Sequence, residues 1–437
     1  MKKIFCGLII VSLFAGVLFT SCQRRQDTAR GNGNRVEIIF WDENPGPERT
    51  PYLQEIIKWY HESQDRIRVR YVGVPQSEAI NKINVAVAGN AVPDISGLQS
   101  GWLAGLVARR ALFNLDNAFA AWEESGQFDP AAIAGTRIRD PNGSLYLFPI
   151  RTSMPCLWYR IDRFEEAGIK PPQTWDEFFH AIAAMTDIPR GQYGFAIRGA
   201  GGAEQLQTML FAYTGIKSYF DENGKSAFRD PLMAQFLRRY ASIYNRYTAQ
   251  GDVNNNHPMM IAAFGSGTAN MIQHNLGSLG EHRKALPEGS FGTIIFPRSV
   301  KGYYNLVLPN YNGYVVFEGS RRKDEAVDFL KFLTGEKAMS FWNEMIGEFP
   351  VRLDVQQHEW VQNADHLKNI VAAMQAPDTN FVEFPQFLPE YSRIINEIAN
   401  PGWQAVMLGR RTPEHFLNEW ATALEQAHQR YLEHFQK

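Results

Sequence analysis

The sequence predicts an α/β fold built on a parallel sheet, because strand and helix patterns alternate along residues 36–71. Residues 36–41 (VEIIFW) are β-branched and aromatic, which is typical of a buried strand. Apolar residues then recur at helical spacing across 53–60, and residues 67–71 alternate apolar side chains with arginine, as in a second strand. A strand, a helix and a strand in this order form a βαβ unit, whose right-handed crossover places both strands parallel.

The same alternation continues along the chain, with recognisable starts and stops of helices. Ser77 can cap a helix that ends at Gly89-Asn90, and residues 93–95 (PDI) begin a short strand. Residues 174–177 (TWDE) form a capping-box pattern, in which Thr and Glu satisfy each other's backbone N–H groups. A further helix is predicted between Ser320 and Gly335, and Thr412-Pro413 opens the last one.

The first 21 residues predict an export signal, and Cys22 predicts a lipid anchor. Lys2 and Lys3 precede an apolar run over residues 4–19, which is short for a membrane span. The stretch Leu18-Phe19-Thr20-Ser21-Cys22 resembles a bacterial lipobox, so Cys22 is the predicted lipidation site and the bilayer is a predicted partner. The alternative is an ordinary secreted protein with an incidental cysteine at this position.

The remaining cysteines and the following segment agree with this interpretation. Cys6 leaves with residues 1–21, and if Cys22 is acylated, Cys156 stands alone and no internal disulfide is possible. Cys156 lies in an apolar stretch and is predicted to be a small core residue. Residues 22–34 contain no large apolar side chain after the cysteine and are predicted to form a lipidated flexible tether.

Charge and motif content exclude several classes of function. The chain has 44 basic and 46 acidic residues, a net charge of −2, so no nucleic-acid partner is expected. The sequence has no HExxH, no paired CxxC, no GxSxG and no Walker-type loop, so no metal or cofactor and no catalytic residue is predicted. Residues 199–202 (GAGG) predict a loop with close backbone approach. Asp42 and Glu43 are a poor glycosidase pair, because such carboxylates face each other across a sugar.

Five segments in order along residues 35–425 resemble one protein family. They are the strand–loop–helix opening at 36–60, the stretch from Pro93-Asp94 to Asp116, the segment 146–178, residues 264–271 (FGSGTANM), and 291–317 followed by AVDFL at 326–330. The third segment, YLFP…LWYR…FEEAGI…PPQTWDEF, matches most closely, although Arg160 replaces the usual asparagine. The chain is similar to the family-1 extracellular solute-binding proteins of ABC importers, the maltose-binding-protein-like lipoproteins.

The resemblance implies a two-lobed periplasmic-binding-protein fold of type II, with discontinuous lobes joined by crossover strands near Pro149 and Phe296. The expected first lobe comprises residues 35–150 and 292–335, and the expected second lobe residues 151–291 and 336–437. It implies a lipid-anchored, non-enzymatic receptor in the bacterial cell envelope. This receptor would be a monomer that captures a small solute, a sugar or oligosaccharide, and delivers it to the transmembrane subunits of an ABC permease.

Ligand contacts are expected in loops at the strand ends, where open α/β sheets bind their ligands. Polar side chains there would bind hydroxyl groups and aromatic rings would stack on sugar faces. The predicted ligand-binding residues are Trp41, Glu43, Asn44, Gln99, Ser100, Trp102, Arg151, Ser153, Gln205, His274, Asn275, Tyr311 and Asn312.

Several of these residues have a structural alternative. Trp41 and Trp102 could pack in the core or against their own helix, and Arg151 could pair with a carboxylate. His274 and Asn275 could only shape a turn. Two other functional classes also remain open: an exported carbohydrate-active enzyme, and a surface lipoprotein receptor on the same fold.

Overall fold

The structure is a computed structural model that describes residues 35–137, 143–307 and 310–435. The predicted export signal (1–21), the lipidation site Cys22 and the tether (22–34) lie outside the described residues. None of the helices in the described ranges is long and apolar enough to cross a membrane.

The described strands and helices are numbered in chain order. The strands are β1 (Val36–Asp42), β2 (Ile67–Gly73), β3 (Ile95–Gln99), β4 (Phe148–Ser153), β5 (Pro155–Arg160), β6 (Met271–Asn275), β7 (Phe291–Ile294), β8 (Asn305–Val307), β9 (Asn310–Val316), β10 (Phe349–Pro350) and β11 (Asn380–Val382). The helices are α1 (Thr50–Ser63), α2 (Gln76–Ala88), α3 (Leu103–Val107), α4 (Asp116–Ala120), α5 (Pro130–Thr136), α6 (Ile161–Glu166), α7 (Trp175–Ala184), α8 (Ala203–Thr214), α9 (Pro231–Ala241), α10 (His257–Gly265), α11 (Leu279–Ala285), α12 (Lys323–Thr334), α13 (Glu336–Ile346), α14 (Leu353–Gln356), α15 (Glu359–Gln362), α16 (Asp365–Gln375), α17 (Tyr391–Ile394), α18 (Asn400–Met407) and α19 (Pro413–Phe435).

The first lobe is a six-stranded sheet in the order β10-β4-β9-β3-β1-β2 with helices on both faces. β1 is parallel to β2 and to β3, which confirms the βαβ unit predicted for residues 36–71. β9 runs antiparallel to β3 and to β4, so the sheet is mixed. Phe40 packs with Phe329 of α12 on one face, and Leu98 packs with Leu103 of α3 on the other.

The second lobe is a three-stranded antiparallel sheet, β6-β5-β7, between two layers of helices. Ala196 forms an isolated parallel bridge with Ile272 of β6, and Tyr193 forms another with Ala269, two residues before β6. One core contains Trp175 and Trp420 with α8, α9 and α18. The other contains Cys156, which is fully buried and unpaired, as predicted from its apolar neighbours.

The chain passes between the lobes at 153–155, between Val307 and Asn310, and a third time between Val351, which packs in the first-lobe core, and Val361 of α15, which packs in a second-lobe core. Three segments are placed differently from the predicted lobe bounds. Residues 151–153 belong to β4 of the first lobe, residues 292–307 pack with the second lobe, and α13 packs in the first core. The second passage therefore lies about ten residues beyond Phe296. The β-rich stretch 291–317 contains strands of both sheets, and periodicity does not tell them apart.

The local helix signals are confirmed except at Ser77. This residue does not cap α2, because the helix already begins at Gln76, with Pro75 at the N-cap position and no side-chain hydrogen bond to the cap. The Thr174 hydroxyl accepts a hydrogen bond from Glu177 N at 3.2 Å, and the Glu177 carboxylate accepts one from Thr174 N at 3.1 Å, which completes the capping box. The last helix begins at Pro413, directly after Thr412.

Candidate binding site between the lobes

The polar ends of several strands meet where the chain crosses between the lobes. β1 ends at Asp42 and β3 at Gln99, and these parallel strands end on the same edge of the first sheet. Asn312 of β9 lies opposite Gln99 and opposite Arg151 of β4. β4 continues through Met154 into β5, whose first residue pairs with Asn275 at the end of β6. Strand ends of both sheets therefore face the same junction.

Two adjacent carboxyl groups, Asp42 and Glu43, are buried at the end of β1. Asp42 accepts hydrogen bonds from the Tyr71 hydroxyl at 2.7 Å and from Asn44 N at 3.0 Å. Burial raises the pKa of Asp42. Burial, and then the charge of Asp42, raise the pKa of Glu43 to about 7. Glu43 lies directly over Gly97, where a Cβ would overlap its carboxylate. Asp42 was not predicted as a site residue, although its position at the end of a strand could have identified it.

Arg49, Arg151 and Glu348 form a buried charged cluster beside these carboxyl groups. Arg151 Nε lies 3.5 Å from Glu348 Oε1, and the Ser153 hydroxyl donates to the same oxygen at 3.4 Å. Arg151 therefore pairs with a carboxylate, the alternative considered from the sequence. Arg49 Nη2 donates to the carbonyl oxygen of Gly277 in the second lobe at 2.6 Å. Arg49 and Glu348 carried no sequence signal, because one precedes α1 in a loop and the other follows α13 in a turn.

A small pocket is enclosed by these groups and by an apolar wall. Its lining residues are Asp42, Glu43, Asn44, Arg49, Leu53, Ile150, Arg151, Gly313, Tyr314 and Trp342. Among the described residues, Arg49 Nη1 and Trp342 Nε1 are buried without a hydrogen-bond partner, and Arg151 Nε has only its 3.5 Å ion pair with Glu348. Buried donors without partners destabilise a protein, so Arg49 Nη1 and Trp342 Nε1 are expected to meet an acceptor, and the space of about 10 Å³ beside them has room for about one water molecule.

Two stacked imidazoles occupy the second-lobe side. The rings of His257 and His274 lie 4.4 Å apart at an interplanar angle of 15°. Burial, then the charges of Arg198 and Arg49, lower the pKa of His257 to about 4. Burial, and then His257, hold the pKa of His274 well below its ordinary value. Both rings are therefore neutral at pH 7.

The other second-lobe residues of the predicted set have internal partners. Asn275 Oδ1 accepts from Gly277 N at 3.1 Å, so this side chain shapes the turn after β6. Gln205 Nε2 donates to the carbonyl oxygen of Gln273 at 3.1 Å. Across the junction, the Ser100 hydroxyl donates to Gln386 Oε1 of the second lobe at 3.3 Å.

The two predicted tryptophans of the first lobe are half-buried. Trp102 packs against the cluster of Leu98, Leu103 and Leu106, and Trp41 packs against the same cluster with the Lys82 ammonium 5.1 Å from its ring centre. Each therefore has a packing role and keeps an exposed part. Tyr311 does not join the charged cluster of Arg49, Arg151 and Glu348. Its ring is buried under α5, so close to Gly135 that a Cβ there would overlap it.

Two α/β lobes with three chain passages and polar strand ends between them define a two-lobed ligand-binding protein. The chain belongs to the bacterial extracellular solute-binding proteins, because the model of that family matches residues 55–369. This family consists of substrate-binding proteins of transport systems, so the chain is not an enzyme and the enzyme alternative is excluded.

Relatives of known name share about a quarter of their residues with this chain. It is 22% identical to the multiple sugar-binding protein of Streptococcus mutans, over 79% of this chain and 81% of the relative. It is 25% identical to the sn-glycerol-3-phosphate-binding periplasmic protein of Brucella melitensis, over 73% of this chain and 75% of the relative.

Solved structures confirm the predicted two-lobed fold. An ABC transporter solute-binding protein from Thermotoga lettingae, solved with α-D-tagatose, matches with a TM-score of 0.79 and 20% identity, over 90% of this chain and 99% of its own. A solute-binding protein from Agrobacterium radiobacter, solved with ribitol, matches with a TM-score of 0.75 and 18% identity, over 90% of this chain and 98% of its own.

Proposed function

We propose that this chain is the substrate-binding protein of an ABC importer and that it captures a sugar, an oligosaccharide or a related polyol between its lobes. One observation carries the proposal. Strand ends of both lobes bring buried hydrogen-bonding groups to one junction, with Arg49 and Arg151 on a pocket that also contains Tyr314 and Trp342. Polar groups beside aromatic walls suit a molecule with hydroxyl groups and apolar ring faces. The sugar-binding relative and the solved structures with tagatose and ribitol support this class of solute.

The remaining predicted contacts would complete the site. The exposed parts of Trp41 and Trp102 would stack on sugar faces, and the His257–His274 pair would cover the opposite side. Glu43, Asn44, Gln99, Ser153 and Asn312 would bind hydroxyl groups at the strand ends. Closure of the lobes about the three chain passages would then enclose the solute.

We further propose that the mature protein is a monomer anchored by acylated Cys22, facing the periplasm or the exterior. The lipobox-like sequence before Cys22 and the polar tether after it support this arrangement. The transmembrane subunits of an ABC permease would receive the solute from the lobes.

A thermal-shift screen tests the class of solute. The protein is melted with glucose, maltose, maltotriose, tagatose, ribitol, mannitol and glycerol 3-phosphate, each in excess. A ligand that binds only the folded state stabilises it by about 2.7 kcal/mol at a hundredfold excess over Kd, which raises Tm by several degrees. A clear shift with at least one sugar or polyol is expected. A flat response across the panel would refute the proposed class.

A further inference from the structure

The second lobe carries another concavity, which is open to solvent and lies outside the junction. Its volume is about 460 Å³, compared with about 10 Å³ at the junction, and it is enclosed by α9, the end of α18 and the start of α19. Three arginines line it: Arg238 of α9, and Arg410 and Arg411 of the turn between α18 and α19. We term this concavity the arginine pocket. All of its lining residues belong to the second lobe, so it is separate from the proposed solute site.

The turn between α18 and α19 holds two consecutive arginines at this pocket. Gly409 takes the left-handed conformation, with a φ of +66°. The next two N–H groups, those of Arg410 and Arg411, both donate to the carbonyl oxygen of Ala405, at 2.8 and 3.3 Å. Backbone bonds of this kind close the end of a helix in a defined geometry. The fold therefore fixes the backbone of both arginines at the pocket.

One of the three arginines is left without a partner. Arg238 forms an ion pair with Glu414, and Arg411 forms one with Glu419. Among the described residues, the side chain of Arg410 has no hydrogen-bond or ion-pair partner. The two ion pairs are accessible to solvent, and such pairs contribute little to stability. An incoming anion can therefore pair with Arg410 and replace a carboxylate on either of the other two arginines.

A phosphate monoester suits this arrangement better than a carboxylate does. A guanidinium group is a planar fork of donors that binds phosphate through two parallel hydrogen bonds. A carboxylate would only exchange one group for its like, whereas a phosphate monoester carries a charge of about −1.5 to −2 and three acceptor oxygens. It can therefore contact Arg410 and a second arginine together. The pocket also includes Pro413, the first residue of the 23-residue helix α19, whose partial positive charge adds to that of the arginines.

Apolar side chains line another part of the arginine pocket. They are Ala241 of α9 and Val406 and Met407 at the end of α18. A bare phosphate ion would leave these side chains uncovered, whereas an organic group attached to the phosphate would cover them and gain from the burial of apolar surface. The pocket therefore fits an organic phosphate better than the inorganic ion.

We propose that the arginine pocket is a second ligand site, which binds the phosphate group of a soluble organic phosphate monoester. Arg410 contacts the phosphate together with Arg238 or Arg411, and the organic group covers Val406 and Met407. This site is independent of the solute site between the lobes.

Calorimetric titration with three matched probes tests the chemistry of the site. The full mature chain with Cys22→Ser, which prevents acylation, is titrated with phenyl phosphate, inorganic phosphate and benzoate. Phenyl phosphate should bind at least about 10-fold more tightly than the other two, because it alone combines a phosphate with an apolar ring. Benzoate of equal affinity would overturn the preference for phosphate, and inorganic phosphate of equal affinity would overturn the apolar contact.

One variant and two controls locate the bound phosphate. Arg410→Gln should weaken phenyl phosphate at least about 10-fold. Arg430→Gln, which removes an exposed arginine of α19 paired with Glu390 at 2.9 Å outside the pocket, should bind like the wild type. Arg49→Gln, at the junction, should also keep the wild-type affinity for phenyl phosphate. A loss in Arg49→Gln without a loss in Arg410→Gln would place the phosphate between the lobes and overturn the proposal. Melting curves without ligand establish that each variant is folded.

Two further probes separate the monoester from other anions. Vesicles of phosphatidylglycerol and phosphatidylcholine present phosphate diesters, and a hexaglutamate peptide presents carboxylates. Binding of either probe that depends on Arg410 and is tighter than that of phenyl phosphate would overturn the proposal, in favour of a membrane surface or an acidic protein segment. The response of the protein to sugars and polyols in the thermal-shift screen does not depend on the arginine pocket, so the two proposals fail separately.

Discussion

Arg49 of the first lobe donates a hydrogen bond of 2.6 Å to the carbonyl oxygen of Gly277, which lies in the second lobe directly after β6. The contact is tight, because a Cβ on Gly277 would overlap Glu348 Oε1 and lie 3.2 Å from Arg49 Nη2. The neighbouring residue Glu48 forms an ion pair with Lys284 of α11, also across the junction. The loop before α1 therefore links the two lobes through one hydrogen bond and one ion pair.

Gly277→Ala is predicted to weaken solute binding about 10-fold, because the added methyl group would push Glu348 and Arg49 out of their positions at the pocket. The matched control is Gly280→Ala, three residues further on, where the nearest atom to a Cβ is Glu48 Cβ at 3.7 Å, an ordinary contact. Titration of both variants with a confirmed solute measures the difference. Equal affinities in the two variants would show that the contact at Gly277 is not coupled to binding.

Trp102→Ala is predicted to weaken binding by roughly 30-fold, equivalent to about 2 kcal/mol, because the exposed part of the indole would stack on the solute. The variant should lose less stability than the roughly 3–5 kcal/mol expected when a buried tryptophan is replaced by alanine. Trp420→Ala serves as the comparison, since Trp420 is fully buried in the second lobe. A large fall in Tm with unchanged affinity in Trp102→Ala would assign Trp102 to packing alone.

Glu43 is predicted to make stability fall as pH rises from about 4.5 to about 7. Its pKa is raised from 4.5 to about 7, so across this window the folded state binds the proton more tightly than the unfolded state does. Glu43→Gln cannot ionise. Its free energy of unfolding should therefore rise relative to that of the wild type by up to about 3 kcal/mol as the pH increases from about 4.5 to about 7.

Urea denaturation at about pH 4.5 and about pH 8 measures this gain as the change in the stability difference between variant and wild type. Glu37→Gln, an exposed carboxyl on the same strand, is the control and should track the wild type. If Glu43→Gln also tracked the wild type, the burial effect on Glu43 would be refuted.

Cys22→Ser is predicted to release the protein from the membrane, because acylation of this cysteine would supply the anchor and stable attachment needs more than one acyl chain. Detergent partitioning and intact mass of the wild type should show several acyl chains on Cys22. A variant that remained bound and was processed like the wild type would contradict the lipoprotein proposal.

The sequence was sufficient for the fold where local signals are strong. The βαβ unit at 36–71, the capping box at Thr174 and the burial of Cys156 follow from periodicity, capping chemistry and apolar neighbours. The lobe bounds could not be predicted as well from the sequence. The strands at 291–317 have the same pattern in either sheet, and only their pairing with β5 or with β3 shows to which lobe each strand belongs.

The candidate site was predictable only at the strand ends. Glu43 directly follows β1, Ser153 ends β4 and Arg151 lies two residues before that end, and the structure brings all three to the junction. Arg49 and Glu348 reach the same place from a loop and a turn, through contacts over 195 and more positions in sequence, so no local pattern marks them. Tyr311 was predicted by the same reasoning, yet its ring is buried under α5 against Gly135, a contact that no local pattern indicates.

Small-angle X-ray scattering with and without a solute identified by the thermal-shift screen tests the central claim most directly. If the solute binds between the lobes and holds them closed about the passages at 153–155, 307–310 and 351–361, saturation should lower the radius of gyration. Gly277→Ala should then need about 10-fold more solute to reach the same compact state. A radius of gyration that stays unchanged at full saturation would contradict closure of the lobes on the solute.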